Sequence, residues 1–208
     1  MMLTEQTPVP EAALPLEPFK AHLRLGTGFG EDSLQDEVLI SFLRAAIAAI
    51  EARTGKVLLS LHFVLNLHQW KDRSAQVLPL VPVTEVSAVV QVDVEGVEEI
   101  LASSQYHLIQ DSQHPKLYPT GSLFPLVVTG GALRITLTAG IATDWGGLPA
   151  DLGQAVLMLA SHYYQYRDDT GLSGGCMPFG VTSLIERYRV VRLSLGRMQR
   201  LHRFCRVV

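Results

Sequence analysis

The sequence predicts an α+β fold, in which N- and C-terminal helices form a small bundle around an inserted antiparallel β-strand block, with an extended basic C-terminal tail. Three observations predict it. Apolar residues recur at helical spacing on both sides of a central stretch, and within that stretch they alternate every second residue. No regular alternation of strands with helices occurs, which disfavours a doubly wound sheet. With 208 residues, 48% of them hydrophobic, the chain can build one domain, or one domain plus a small appendage.

Residues 1–16 contain Pro8, Pro10 and Pro15 and few aromatics, which reads as an extended arm. Residues 17–56 hold the first helices. A short one is expected over Glu17–Leu25, with Pro18 in its first turn and Gly26 past its end. The strongest follows over Ser33–Thr54. Its stripe is Leu34, Val38, Leu39, Phe42, Leu43, Ala46, Ile47 and Ile50, at steps of three and four. Ser33 with Asp36 resembles a capping box, and Gly55 sits at a left-handed terminator position. Residues 57–141 form the strand block. Over Leu59–His68, Leu59, Leu61, Phe63, Leu65 and Leu67 point one way, with Val64 as the exception, so one face is buried. Further strands are expected at Gln76–Val81, Val83–Val94, Val97–Leu101, Tyr106–Gln110 and Leu133–Ala139, with Glu95-Gly96 as a hairpin turn. Pro79, Pro82, Pro115, Pro119 and Pro125 fall between strands. Residues 142–190 return to helix at Pro149, where Leu152, Val156, Leu159, Ala160, Tyr163 and Tyr164 make the inner stripe. A Gly-rich loop over 171–180 and a short helix over Thr182–Tyr188 complete this part.

The net charge of −3 conceals two opposed segments. Residues 1–186 carry ten Lys/Arg against all twenty Asp/Glu, a net −10, whereas 187–208 carry seven arginines and no acid, a net +7. Such a tail points to an acidic partner: nucleic acid, an anionic surface or another protein. A solvated tail with no partner is the alternative. Against it, Leu193, Leu195, Met198, Leu201 and Phe204 are interleaved with the arginines, and solvation alone needs none of them. Residues 191–208 therefore read as a docking tail. Its candidate partner-binding residues are Arg192, Leu195, Arg197, Met198, Arg200, Leu201, Arg203, Phe204 and Arg206.

Several motifs resemble known chemistry. Gly26–Gly30 has GxGxG rather than GxGxxG spacing and follows a helix instead of a strand, so it reads as a helix–helix turn. Gly171–Gly175 matches GxSxG formally, with Ser173, Glu186 and His202 in triad order. No strand precedes that serine, however, which fits a loop better than a nucleophile elbow. His62 and His68 share a strand face but stand about 20 Å apart, too far for one metal. Cys176 and Cys205 make neither a disulfide framework nor a zinc site. Asp168-Asp169 lacks a second carboxylate cluster. The longest apolar runs, Ala45–Ile50 and Ala155–Ala160, have six residues each, far short of a membrane span. No catalytic, cofactor or metal residue is assigned, and no signal sequence is expected.

Five stretches carry a resemblance: Leu16–Leu25 (LEPFKAHLRL), Glu37–Leu59 (EVLISFLRAAIAAIEARTGKVLL), Leu133–Gly140 (LRITLTAG), Leu148–Arg167 (LPADLGQAVLMLASHYYQYR) and Phe179–Val190 (FGVTSLIERYRV). In this order and spacing, over about residues 14–192, the chain resembles the head–tail connector (adaptor) proteins of long-tailed bacteriophages and of gene transfer agents. The arginine-rich end beyond Arg192 is not part of that pattern.

The resemblance implies a non-enzymatic ring, typically of twelve subunits, between portal and tail. It implies a helical ring wall, a strand block facing neighbouring components such as the tail or stopper protein, and genomic DNA passing through the hole without sequence-specific contacts. It further implies assembly in the host cytoplasm, then residence in the particle neck, with no membrane partner. A nucleic-acid-binding accessory module acting through the tail is the alternative reading.

Overall fold

The computed structural model describes residues 1–25, 33–167 and 177–189. Its fold class is α+β, and it has two hydrophobic cores, one between helices and one between sheets.

The helical core is built from α1 (Leu16–His22), α2 (Ser33–Thr54), α3 (Ala150–Gln165) and α4 (Phe179–Ile185), the last continued by a 3-10 turn over Glu186–Tyr188. On α2 the buried positions are Leu39, Leu43, Ala46, Ile47 and Ile50, a stripe at steps of three and four that meets Leu152, Ala155, Val156, Leu159 and Ala160 of α3. Burying each large aliphatic side chain here contributes about 1.5–3 kcal/mol. Val38, expected on this stripe, is instead exposed, because the stripe is centred on Leu39 one residue further on. Phe42 meets Tyr164 edge-to-face at 6.2 Å. Gly55 closes α2 in the left-handed conformation (φ 70°) and donates to the Glu51 carbonyl. Lys20 fastens α1 to α2 through Asp36 at 2.8 Å. The turn after α1 places Arg24 at φ 57°; the expected terminator Gly26 and the Ser33 cap side chain lie outside the described residues.

Seven strands, β2–β8, lie between α2 and α3, and β1 precedes the helices. A five-stranded antiparallel sheet runs in the order β1 (Met2–Glu5), β2 (Leu61–Leu67), β8 (Ala132–Ala139), β4 (Val83–Val92), β5 (Glu98–Leu101). A three-stranded one runs β3 (Gln76–Val77), β7 (Lys116–Pro119), β6 (Tyr106–Ile109). The register sets Leu65, Ile135, Val89 and Leu101 side by side across the larger sheet. All four are buried, as is Leu117 from the smaller sheet, in one shared core. On β8 the alternation is strict: Leu133, Ile135, Leu137 and Ala139 are buried, while Arg134, Thr136 and Thr138 face outward.

Some strand limits differ from those the sequence suggests. β2 starts at Leu61, because Leu59 bridges to Ala142 and packs into the helical core. β3 is two residues long. Bulges between Val83 and Glu85 and between Val86 and Ala88 break the alternation of β4. β1 and β7 were not expected as strands. β7 contains Pro119, tolerated at a strand end where no ladder N–H is required. α4 begins at Phe179, three residues before the expected start, with Pro178 as its N-cap residue.

The chain enters and leaves the strand block side by side. Val57 donates to Val81 O, Ser60 to Ala142 O, Gly140 to Pro82 O and Ile141 to Val57 O, at 2.7–3.0 Å. Two ionisable groups, the half-buried Glu51 and the buried Lys56, sit at this junction. Glu51 Oε1 accepts from Leu58 N at 2.7 Å; burial pushes its carboxyl above the ordinary range, an effect that bond opposes. Lys56 donates through Nζ to Ser112 O at 2.5 Å, and burial lowers its pKa.

Candidate partner interface

All nine tail residues singled out in the sequence, from Arg192 to Arg206, lie outside the described residues. The structure does describe the root from which the tail departs. Pro178 starts α4, whose Val181 and Ile185 enter the helical core while Leu184 and Tyr188 pack against it. The Tyr188 hydroxyl donates to Asp151 Oδ1 at 2.8 Å, in the first turn of α3. Burial raises the Tyr188 pKa. Arg187 reaches the other oxygen of Asp151 at 2.9 Å, donates to the Tyr188 hydroxyl and lies 4.7 Å from that ring's centre. Arg189 bonds both carboxylate oxygens of Glu186, at 3.0 and 3.1 Å. Two of the seven C-terminal arginines thus serve the bundle itself. These pairs are exposed enough to contribute only about 0–1 kcal/mol each, so the buried Val181 and Ile185 are what fix the root.

The other motifs bring no reactive constellation together among the described residues. Glu186 is engaged by Arg189, while Ser173, His202, Gly26–Gly30, Asp168, Asp169, Cys176 and Cys205 lie outside the described residues. His62 hydrogen-bonds Thr138 Oγ1 at 3.1 Å on the outer sheet face, and His162 packs on Tyr166 with ring centres 4.7 Å apart. Among the described residues no three His, Cys, Asp or Glu gather as a metal site, and no helix is long and apolar enough to cross a membrane.

A further surface, outside the basic tail, lies at the far end of the strand block. The β4–β5 turn is built by Asp93, whose Oδ1 accepts from Glu95 N and Val97 N at 2.9 and 2.8 Å, and by Gly96 at φ 84°. Val94 and Val97 of the turn and Ile100 of β5 are 67%, 61% and 72% exposed. Val128, also exposed, lies in the loop before β8 at the same end of the sheet, where Gly130 abuts the Val94 side chain. Asp93, Glu95, Glu98 and Glu99 are interspersed with these apolar residues along the hairpin. In the sequence the turn alternates valine with acids, a pattern that a half-buried strand shares and that does not by itself mark an exposed tip.

No family model and no curated protein matches the chain. Solved structures do. A chain in the neck of an empty gene transfer agent (GTA) particle, computed with C6 symmetry, is 47% identical with a TM-score of 0.84, over 95% of this chain and 100% of that one. A chain in the virion of a native GTA particle is also 47% identical, with a TM-score of 0.82 and the same coverage. A third, in the neck of a native GTA particle computed with C12 symmetry, is 44% identical with a TM-score of 0.79, again over 95% and 100%.

Proposed function

Because the chain belongs to the neck proteins of gene transfer agent particles, we propose that it is the adaptor subunit of that neck, a ring component joining the portal to the tail or stopper protein. The observation that carries this reading is the match at 47% identity across the whole length of a neck chain. The C6 and C12 symmetries of the relatives support a ring, with twelve copies as the number. A closed ring needs head-to-tail contacts between unlike patches, which suits a molecule with a helical bundle at one end and a strand block at the other. The bundle forms the wall, the block meets neighbouring components, and DNA passes through without sequence readout. A body of net −10 over residues 1–186 keeps DNA from adhering to the channel. The protein makes and breaks no bonds. It assembles in the host cytoplasm and ends in the neck.

The C-terminal tail docks on the portal or on an adjacent subunit. Leu195, Met198, Leu201 and Phe204 anchor it, and Arg192, Arg197, Arg200, Arg203 and Arg206 pair with acidic groups. Four buried anchors outweigh exposed ion pairs, at about 1.5–3 against 0–1 kcal/mol each before ordering costs. Deleting residues 193–208 leaves a protein that unfolds at the unchanged temperature but no longer co-sediments with portal rings; normal particle assembly by this deletion overturns the proposal. The tail's arginines favour one rival, a nucleic-acid-binding accessory module. That rival requires DNA affinity that falls steeply with salt and disappears with the same deletion.

A further inference from the structure

The distal hairpin has the composition of a contact surface. Val94, Val97, Ile100 and Val128 form an exposed apolar group at one end of the larger sheet, and monomeric surfaces seldom leave such a group uncovered. Every ionisable residue of the hairpin tip, over 93–101, is acidic: Asp93, Glu95, Glu98 and Glu99. Glu98 pairs with Arg134 at 2.8 Å and Asp93 caps the turn, while Glu95 and Glu99 have no ion-pair partner among the described residues. Ten residues of β4 carry the tip roughly 30 Å from the junction at Pro82 and Gly140. It therefore stands well away from the bundle that roots the tail.

We propose that this tip is a second docking surface, which receives a basic, apolar-studded face of a different neck protein. The inference rests on the adaptor reading above and adds a partner at the end opposite the tail. Four carboxylates repel nucleic acid and anionic lipid, so the occupant is protein and its complementary charge is positive. A second copy's described surface supplies little of that charge. Lys20, Arg44, Lys56, Arg73, Arg134, Arg187 and Arg189 are each held by groups of their own subunit, and Arg167 lies over the Tyr164 ring. Lys116 stands close to the carboxylates of Asp72 and Asp111, which leaves Arg24, Arg53 and Lys71, on three separate segments. The valines and Ile100 provide the desolvated centre of the contact, and the acids set its orientation and partner choice.

Photo-crosslinking in assembled particles tests this. Val97 of the full-length chain is replaced by p-benzoylphenylalanine, a change at an exposed turn that leaves both cores intact. Irradiation of purified particles yields an adduct with another neck protein, at a peptide in which Arg or Lys flanks apolar residues. Adding Glu95→Lys and Glu99→Lys lowers the adduct yield about ten-fold or more through like-charge repulsion. An adduct to a second copy of this chain, including its residues 190–208, overturns the inference, as does a yield indifferent to the charge reversal. Particles that contain the chain but give no adduct overturn the inference alone. Particles that lack the chain overturn the adaptor reading and the inference with it.

Discussion

The bundle and the strand block bury their apolar residues with different completeness. Among the described residues of the bundle, only Val38, Tyr166 and Phe179 are large, apolar and exposed, whereas the block exposes Val77, Val94, Val97, Ile100, Ile109, Leu123, Leu126 and Val128. Geometry accounts for part of the difference. A helix gathers its apolar residues on one stripe, and α2 and α3 turn those stripes toward each other. A two-sheet sandwich covers only its inner faces and leaves edge strands such as β1 and β5 without a partner on one side. The apolar groups at the β4–β5 tip exceed what those constraints demand. Among the described residues the bundle is thus the more closed frame, and the block leaves apolar side chains in solvent, the surface proposed above for contact.

That contrast depends on the two regions being held together, and the hardest way to break it is at Gly140. Its φ of 153° and its contacts leave no room for a side chain, since a Cβ would lie 2.4 Å from both N and Cα of Ser60. Backbone atoms cannot retreat as a flexible side chain can. Gly140→Ala is expected to cost roughly 4 kcal/mol or more, the exceptional end for a single substitution. It separates the two regions: Trp70 reports on the block and Trp145 on the bundle, so their fluorescence transitions in urea no longer coincide. Coincident transitions with an unchanged midpoint refute this account of the junction.

Paired core truncations sharpen the same contrast at somewhat smaller cost. Phe124 is buried in the block and stacks on Trp70, ring centres 4.0 Å apart and nearly parallel; Phe124→Ala is expected to cost about 3–5 kcal/mol. Leu43 is its counterpart in the bundle, and Leu43→Ala is expected to cost about 2–5 kcal/mol. In chemical denaturation each variant should shift the transition of both tryptophans equally if the junction couples the cores into one unit. A shift confined to the mutated region shows instead that frame and contact module unfold separately.

The frame was far more legible in the sequence than the contact surface. α2 and α3 have long stripes and clear limits, Gly55 and Pro149, so periodicity alone located them. β8 alternates over its whole length because one face is buried throughout. The departures have physical causes. β1 is an exposed edge strand whose pairing is set by β2, not by its own pattern. β7 is flanked by prolines that normally mark the space between strands. The bulges of β4 shift its period twice. The basic tail was legible as charge asymmetry, but the tip was not. Its valines read as strand residues, and only the folded turn reveals that they emerge into solvent among carboxylates.

The smallest effect concerns how the frame grips the segment leading into the block. Glu51, near the end of α2, accepts from Leu58 N. Burial raises its carboxyl pKa first of all, the bond from Leu58 opposes this, and the charge of Glu5 on β1 raises it further. The folded state therefore holds the Glu51 proton more tightly than the unfolded chain does. Its stabilising contribution is complete below the unfolded carboxylate range, near pH 4, and is lost as pH rises through the raised folded pKa. Glu51→Gln keeps an oxygen acceptor for Leu58 N and removes the titration. Relative to wild type, the variant should gain stability as pH increases from about 4 toward 7, read as a widening gap between urea midpoints measured on both proteins at each pH. Parallel midpoints over that interval mean that the carboxylate is solvated well enough to ionise freely, and that Leu58 is gripped through a charged group at no cost to the frame.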